Sequence, residues 1–464
     1  MGGRDSNCMG RSAAGVVSGA LLLLVLLICG LPGGGLAAAD AAQSAGRASV
    51  GVASCAGSTC HGRMEGDGKV VRQDELMRWQ EPSTPGGAHS RAFAVLSGTR
   101  SRQIAATLGL GDPTAARDCL GCHSTPLTER GPRFLTQDGV GCEACHGPAG
   151  GWIASHYAVG VSHAANVAAG MIPLERPQVR ASVCLDCHFG SDRPGQFVTH
   201  RIMAAGHPRI SFELDLFSSM QAHHDEDADY ARRKGRTDGL RFWAVGQAMA
   251  VERSLNLYAS GKGTDGSFPE FYFFDCQSCH RRIYDQAERS KTWEANPGRP
   301  IPAGMPPFND ENMILLSAAA RAIAPGLAGR FDADSRAFHG AIAKDRQAAS
   351  AAAGKLAQSA GALATAFAAA RTNGDMAFAI VDEIAGAAIN PRFTDYQGSA
   401  QAVMAIDTLL NSMVKSGRVT IGAAAGIHAD VNRAYAAVRE PNSYRPVEAR
   451  AALGSAARSI GALR

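Results

Sequence analysis

Five pairs of cysteines, each followed directly by a histidine, constrain this chain of 464 residues more than any other feature. Four pairs have the spacing C-x-x-C-H, and the first, "CAGSTCH", has four residues between its cysteines. In chain order the five motifs are Cys55/Cys60/His61, Cys119/Cys122/His123, Cys142/Cys145/His146, Cys184/Cys187/His188 and Cys276/Cys279/His280. With 12 cysteines and 14 histidines in all, such a repeat is not accidental, so the motifs must share one chemistry.

The spacing C-x-x-C-H is the attachment signature of c-type haem. Cysteines three residues apart lie about one helical turn apart, so two thiols can bond to the two vinyl groups of one haem. The adjacent histidine then binds the iron from one side as its proximal ligand. The sequence therefore predicts five covalently attached haem c groups, held by the ten motif cysteines and the five motif histidines.

Two other chemistries also use paired cysteines. A zinc ribbon takes two pairs for each metal ion and needs no histidine after each pair, and five pairs do not divide into such sites. Disulfides are common in exported proteins, but they do not need the histidine either. In the longer first motif, the small residues Gly57 and Ser58 suit a bulge that lets both cysteines reach the haem. Without a haem, Cys55 and Cys60 would form a disulfide.

Seven further histidines lie in the same part of the chain as the motifs and are candidates for the distal iron ligands. They are His89, His156, His163, His200, His207, His223 and His224. Because His223 and His224 are neighbours, only one of them is expected to face a given iron. Met171, Met203 and Met220 are alternative ligands, but methionine more often fills space in a core. Two imidazoles on one iron favour a lower reduction potential than a histidine–methionine pair.

The N-terminus has the order of regions found in a secretory signal. Arg4 and Arg11 precede the apolar run "ALLLLVLLICG", and the small residues of "GLAAADAAQ" follow it. This pattern predicts a signal peptide over residues 1–39, cleaved after Ala39, and an exported, periplasmic protein. The apolar run is shorter than the ~20 residues of a membrane span. An uncleaved signal that anchors the protein and a lipid anchor at Cys29 are the alternatives.

Three stretches around the motifs resemble the multihaem cytochromes of the cytochrome c-554 family. They are "HSRAFAVL" at His89, "CEACHGPAGGWIASHY" ending near His156, and "THRIMAAGHPRISFEL" with His200 and His207. The resemblance covers roughly residues 50–285. It implies helices and long loops around a closely stacked haem array, and a role as a periplasmic electron carrier. The chain differs from cytochrome c-554 in its first motif and in haem number, since c-554 carries four haems.

Composition divides the chain into four parts. After the signal peptide, residues 40–300 form the Gly- and Pro-rich multihaem part, with helices predicted over 87–97, 100–108, 151–158, 213–223 and 240–260. The Pro-rich segment 301–312 is a predicted linker, and the Ala-rich segment 313–464 is a predicted helical bundle. The predicted fold is thus mainly α with long loops, in which helices wrap around a stacked haem array and precede the bundle.

The charge balance gives little sign of a charged partner. The chain has 46 basic and 42 acidic residues and no basic stripe, so nucleic acid is not an expected partner. We expect an electron carrier rather than an enzyme, with no catalytic residue, that exchanges electrons with redox partner proteins. A partner in the membrane and a homo-oligomer formed through the bundle are both compatible with the sequence. The alternative is an oxidoreductase that acts on a small nitrogen or sulfur compound at one five-coordinate haem, for which the remote fifth motif is the candidate.

Overall fold

The computed structural model describes residues 48–66, 72–126, 129–224, 226, 228–264, 270–280, 300–301, 305–389, 396–441 and 444–464. The predicted signal peptide lies outside the described residues. The described part of the chain is mainly α-helical, which confirms the prediction of a mainly α fold. Within these ranges two strands, β1 (Ala48–Ser49) and β2 (Glu129–Arg130), pair in parallel. No helix in the described ranges is both long and apolar enough to span a membrane.

Short helices joined by loops form the N-terminal part. They are α1 (Glu75–Gln80), α2 (Thr99–Leu108), α3 (Arg117–His123), α4 (Cys142–His146), α5 (His163–Ala168), α6 (Pro177–His188), α7 (His200–Ala204), α8 (Leu214–Met220) and α9 (Ala228–Lys234). Helices α3, α4 and α6 each end at the histidine of a motif. In these three motifs both cysteines therefore lie on one helical turn, as the spacing predicts.

The helices predicted over 87–97 and 151–158 are wrong. Residues 85–97 instead form turns between two short 3-10 helices, Pro85–Gly87 and Ala94–Ser97, and residues 152–157 form turns. A glycine pair lies at the start of each predicted helix, at 86–87 and 150–151, and glycine is a poor helix former. The other three predicted helices appear as α2, as the shorter α8, and as α10 (Gly239–Ala259).

Long helices form the C-terminal part. They are α11 (Glu311–Ile323), α12 (Pro325–Ile342), α13 (Arg346–Ala369), α14 (Gly374–Ile389), α15 (Tyr396–Lys415), α16 (Ile421–Ala437) and α17 (Pro446–Gly461). Pro325 and Pro446 occupy the first turn of their helices, where the missing amide hydrogen costs no helical hydrogen bond. Most consecutive helices pack against each other, as in a bundle.

Helix α10 joins the two parts of the molecule. It is buried on nearly every side, and it packs against α13 and α11 of the C-terminal part and against α6, which carries the fourth motif. One apolar core therefore extends from Leu185 on α6 through Trp243 on α10 to Leu363 on α13. A helix with apolar residues on most of its sides is the expected centre of such a core.

An arginine on α10 fixes the fourth motif to this core. Arg253 Nη1 donates to Asp186 Oδ1 at 2.7 Å and to the Gly190 carbonyl oxygen at 2.8 Å. Asp186 lies between the two cysteines of the fourth motif, and Gly190 follows its histidine. Charge-assisted hydrogen bonds of this kind are stronger than neutral ones. The two contacts thus hold the middle of the motif and the residue pair that follows its histidine against a rigid helix.

We expect Glu213 to make stability depend on pH. Its side chain is 1% exposed, and it accepts hydrogen bonds from the amide of Asp215 and the hydroxyl of Thr408 on α15. Burial, with the nearby Asp215 carboxylate, raises the pKa of Glu213 to about 7. Between about pH 4.3 and 7 the unfolded chain is ionised here and the folded chain is protonated, so stability falls as pH rises through this window.

The variant Glu213→Gln cannot ionise and should escape this loss. We compare the free energy of unfolding of the variant minus that of the wild type at each pH. This difference should be about 3 kcal/mol more positive at pH 8 than at pH 4. Denaturant unfolding of both proteins at the two pH values measures the difference. Glu448→Gln, which alters an exposed residue of α17, is the control and should show no comparable pH dependence. If the free energies of unfolding of Glu213→Gln and the wild type differ by the same amount at both pH values, the prediction is wrong.

Candidate haem sites

The ten motif cysteines are free thiols in the structure. Cys60 and Cys279 are exposed, and the other eight are half-buried. The pair Cys55–Cys60, for which a disulfide is the alternative to haem, is therefore not bonded. All ten sulfur atoms remain available for attachment.

Each motif histidine faces a second histidine from elsewhere in the chain. The distances between ring centres are 6.3 Å for His61–His156, 6.3 Å for His123–His207, 6.1 Å for His188–His89, 6.0 Å for His280–His200, 6.2 Å for His146–His223 and 6.1 Å for His146–His224. Partners in these pairs are separated in sequence by as many as 99 residues. Six of the seven candidate distal ligands are thus brought to a motif histidine.

These distances fit a metal ion between the two rings. An imidazole nitrogen binds zinc, a comparable metal, at about 2.0–2.1 Å, and the ring centre lies roughly 1 Å behind that nitrogen. Two imidazoles on opposite sides of one ion therefore have centres roughly 6 Å apart. At all five motifs the distance between the ring centres is 6.0–6.3 Å, although the surrounding residues differ. The residues present fit iron with two histidine ligands.

Hydrogen bonds to Nδ1 orient several of these rings. The Nδ1 atoms of His123, His156, His207 and His223 lie 2.6–2.7 Å from the backbone carbonyl oxygens of Ala92, Ile153, Pro208 and Gln221, respectively. A carbonyl only accepts, so Nδ1 carries the proton and the lone pair remains on Nε2. Ligating histidines are commonly fixed in this way. The arrangement leaves Nε2 to bind the iron.

His163 does not share this pattern. Its Nε2 lies 3.0 Å from Glu175 Oε1, in a half-exposed ion pair at the start of α5. The atom that would bind iron is therefore engaged with a carboxylate. Among the alternative methionine ligands, Met203 packs against the apolar core and Met220 is exposed. The geometry gives no support to His163 as a distal ligand.

The third motif has two histidines within reach. His146, His223 and His224 offer ligand atoms that all lie within 4.8 Å of one another. His223 is half-buried, with its Nδ1 held by Gln221, whereas His224 has 43% of its side chain exposed. A ring enclosed beneath a haem should be the more buried of the two. Of the two, His223 is therefore the better placed to serve as a ligand opposite His146.

Burial keeps several of these imidazoles neutral. It lowers the pKa of His146 to about 3 and the pKa values of His188 and His223 to about 4. Nearby histidines lower these pKa values further. Only the neutral ring has a lone pair to offer a metal. These three residues can therefore bind iron at neutral pH without first losing a proton.

Thiols of different motifs lie near each other. Cys142 of the third motif raises the pKa of the Cys55 thiol of the first, and Cys122 of the second raises the pKa of the Cys187 thiol of the fourth. The attachment points of the first and third motifs are therefore neighbours, and likewise those of the second and fourth. The chain thus interleaves its motifs in space rather than arranging them in sequence order.

A buried glutamate within the third motif brings the first motif to it. Glu143 Oε1 accepts hydrogen bonds from the amides of Val50 at 2.9 Å and Ala149 at 2.7 Å, and Oε2 accepts one from Gly51 at 2.8 Å. Val50 and Gly51 lead directly to Cys55. One carboxylate therefore holds the segment before the first motif against the helix of the third.

A close backbone approach brings the second motif to the fourth. A Cβ atom on Gly121, between the cysteines of the second motif, would lie 2.3 Å from the carbonyl oxygen of Gly195. Gly195 follows the fourth motif, and its φ of +77° is a backbone conformation that favours glycine. Gln196 Nε2 adds a hydrogen bond to the Gly121 carbonyl oxygen at 2.9 Å. Two glycines thus permit the contact.

Glu75 is a further residue that the motifs do not reveal. It is 6% exposed, and its Oε2 lies 3.1 Å from Nδ1 of His61. Burial opposes ionisation of Glu75, but contacts with His224 and His61 outweigh it and hold the pKa of this carboxyl below its ordinary value. For Glu143, by contrast, the motif "CEACH" itself indicates a structural role, because a charged side chain between two attachment cysteines needs hydrogen-bond partners. Nothing in the sequence connects Glu75 to His61.

Repeated cysteine pairs with a following histidine are the attachment pattern of c-type cytochromes, a class that carries covalent haem c and transfers electrons. Residues 54–147 match the family model described as cytochrome c554 and c-prime. This match spans the first three motifs, about a fifth of the chain, and supports the resemblance to the c-554 family. No curated protein and no solved structure matches the chain.

Proposed function

We propose that this chain is an exported cytochrome with five haem c groups that transfers electrons between redox partner proteins. The observation that carries the proposal is the set of five motif histidines, each facing another histidine at 6.0–6.3 Å. An iron with histidine on both sides has no open position for a substrate. Such a centre is suited to exchanging electrons rather than to binding and converting small molecules.

In this proposal each residue of the sites has one role. The thioether bonds form at Cys55, Cys60, Cys119, Cys122, Cys142, Cys145, Cys184, Cys187, Cys276 and Cys279. The proximal iron ligands are His61, His123, His146, His188 and His280. The distal ligands, in the same order, are His156, His207, His223, His89 and His200. His163 and His224 are the two candidates that bind no iron.

The side chains and backbone of this chain would fix the axial ligands and bring the attachment points together. Bound haem supplies an iron that gains and loses one electron. Backbone carbonyls hold the imidazole rings of His123, His156 and His207. The proximity of thiols from different motifs supports a compact array, in which electron exchange between neighbouring haems would be fast.

The fifth site bears on the enzymatic alternative, which needs an iron with an open position. His200 faces His280 with 6.0 Å between ring centres, and its backbone amide donates to Glu270 at 2.7 Å. A distal ligand is thus available at the site that the alternative would use. We therefore favour an electron carrier and assign no catalytic residue.

The surroundings of the array fit the same proposal. Export through the signal at residues 1–39 would deliver the chain to the periplasm, where haem c is attached. Residues 40–300 would carry the haems, 301–312 would connect them to residues 313–464, and this helical part would serve docking or self-association. The redox partners would be proteins, in solution or at the membrane.

A mass measurement of the mature protein tests the haem count. We expect five haem increments on a chain that begins at Asp40, and a ferric electron paramagnetic resonance spectrum that is entirely low-spin. Peptide mapping should find haem on Cys55 and Cys60 as on the other four pairs. Four increments would remove the first motif from the proposal. A high-spin signal amounting to one haem would favour the enzymatic alternative.

A further inference from the structure

One buried carboxylate lies between the first and the third haem sites. Glu75 Oε2 is 3.1 Å from Nδ1 of His61, the proximal histidine of the first motif. Glu75 Oε1 is 3.6 Å from Nδ1 of His224, which faces His146 of the third motif. This second contact is longer than a hydrogen bond. Glu75 begins α1 and is 6% exposed, so water contributes little to its solvation.

The contact to His61 differs in charge from the other Nδ1 contacts. The Nδ1 atoms of His123, His156, His207 and His223 meet neutral backbone carbonyls. His61 instead meets a carboxylate. The neighbouring Asp74 is also buried, but its oxygens pair with Arg72 and Arg78 rather than with a ligand. Glu75 therefore directs a negative charge at one histidine of the array.

A negative acceptor changes how an imidazole binds iron. It draws the Nδ1 proton away from the ring, which makes Nε2 a stronger electron donor. Stronger donation and a nearby negative charge both stabilise ferric over ferrous iron. Hydrogen bonding around the ligands is one of the means by which proteins set the potential of a haem. The effect is large where burial limits screening by water.

We propose that Glu75 is a positioning residue that lowers the reduction potential of the first haem and holds His224 beside the third, leaving His223 as the ligand there. This inference rests on the proposed attachment of haem at Cys55 and Cys60. It gives the array a built-in asymmetry, because the first haem is made harder to reduce than its ligand type alone would dictate. An electron placed on the first haem would therefore pass readily to its neighbours.

The variant Glu75→Gln tests the effect on potential, because it keeps the shape of the side chain and removes its charge. A redox titration of the full protein should show one of the five midpoint potentials raised. We expect at least a tenfold change in the reduced-to-oxidised ratio at a fixed potential, which is about 59 mV for one electron. Asp74→Asn is the matched control: it removes the same charge one residue away and should shift the potentials much less.

The variant His224→Gln tests the assignment at the third site. It should leave the ferric spectrum entirely low-spin, because His223 still supplies the ligand, and it should not raise the potential of the first haem. A new high-spin signal would show that His224 is the ligand and would overturn that part of the proposal. His223→Gln should give the opposite result, with one haem becoming high-spin; an entirely low-spin spectrum would overturn the assignment of His223.

The outcomes separate this inference from the proposed function. If Glu75→Gln retains haem on Cys55 and Cys60 and all five potentials are unchanged, the inference is wrong and the pentahaem cytochrome stands. If the wild type carries no haem on these cysteines, both the haem count and the inference fail. If Glu75→Gln does not fold, the near-infrared spectrum of the ferric wild-type protein tests the inference instead. The charge-transfer band of one low-spin haem should then lie at a different wavelength from the bands of the other four. Coincident bands would overturn the inference.

Discussion

Replacing Glu143 by alanine should lower the free energy of unfolding of the haem-loaded protein by about 3–5 kcal/mol. The carboxylate accepts hydrogen bonds from the backbone amides of Val50, Gly51 and Ala149, and it is 7% exposed. Its removal leaves three amide hydrogens without their acceptor. A buried donor that loses its partner costs more than the bond itself contributed, because water cannot replace the lost acceptor.

The loss should also change the position of the first motif. Val50 and Gly51 follow strand β1 and lead to Cys55, whose thiol lies near Cys142. Without Glu143, the segment before the first motif is no longer fixed to α4. We therefore expect faster amide exchange at Val50 and Gly51, in addition to the lower stability measured by denaturant unfolding.

Two variants make the Glu143 result interpretable. Glu143→Gln keeps one acceptor oxygen but brings an amide group against backbone donors, so its stability should lie between those of the wild type and Glu143→Ala. Glu129→Ala removes an exposed glutamate of β2 and should change the free energy of unfolding by less than about 0.5 kcal/mol. A Glu143→Ala protein within 1 kcal/mol of the wild type would contradict the role assigned to this carboxylate.

The parts of the fold that the sequence predicts are those set by local spacing. Cysteines three residues apart with a following histidine predict one helical turn, and α3, α4 and α6 end at these histidines. The Ala-rich segments predict long helices for the same reason, because periodicity and propensity act within a few residues. The prediction of a helix over 87–97 was wrong because glycines and contacts to distant residues determine the backbone there. One such contact is at Gly139, which lies against the carbonyl oxygen of His89.

The pairing of histidines could be predicted only as a set. The sequence supplies seven candidates, but nothing local connects His61 with His156 or His188 with His89. These pairs arise when interleaved motifs pack, and packing depends on residues such as Glu143 and Gly121 that hold distant segments together. His163 could not be separated from the ligands by sequence, because its engagement with Glu175 is a tertiary contact.

Replacing His200 by alanine should convert one of the five haems from low-spin to high-spin in the ferric protein. His200 faces His280 at 6.0 Å, and its removal would leave the fifth iron with one protein ligand. The backbone should stay in place, because the Thr199 side chain caps α7 and Glu270 accepts the amide hydrogen of residue 200. Electron paramagnetic resonance should show a high-spin signal equal to one haem, and the reduced protein should bind one equivalent of carbon monoxide.

His163→Ala is the matched control for this substitution. His163 also begins a short helix, α5, which the Ser162 side chain caps as Thr199 caps α7. The two variants therefore remove the same group from the same kind of position, but only His200 faces a motif histidine. His163→Ala should remain entirely low-spin and bind no carbon monoxide. A low-spin His200→Ala protein, or a high-spin His163→Ala protein, would mean that ligands other than those assigned here bind the irons.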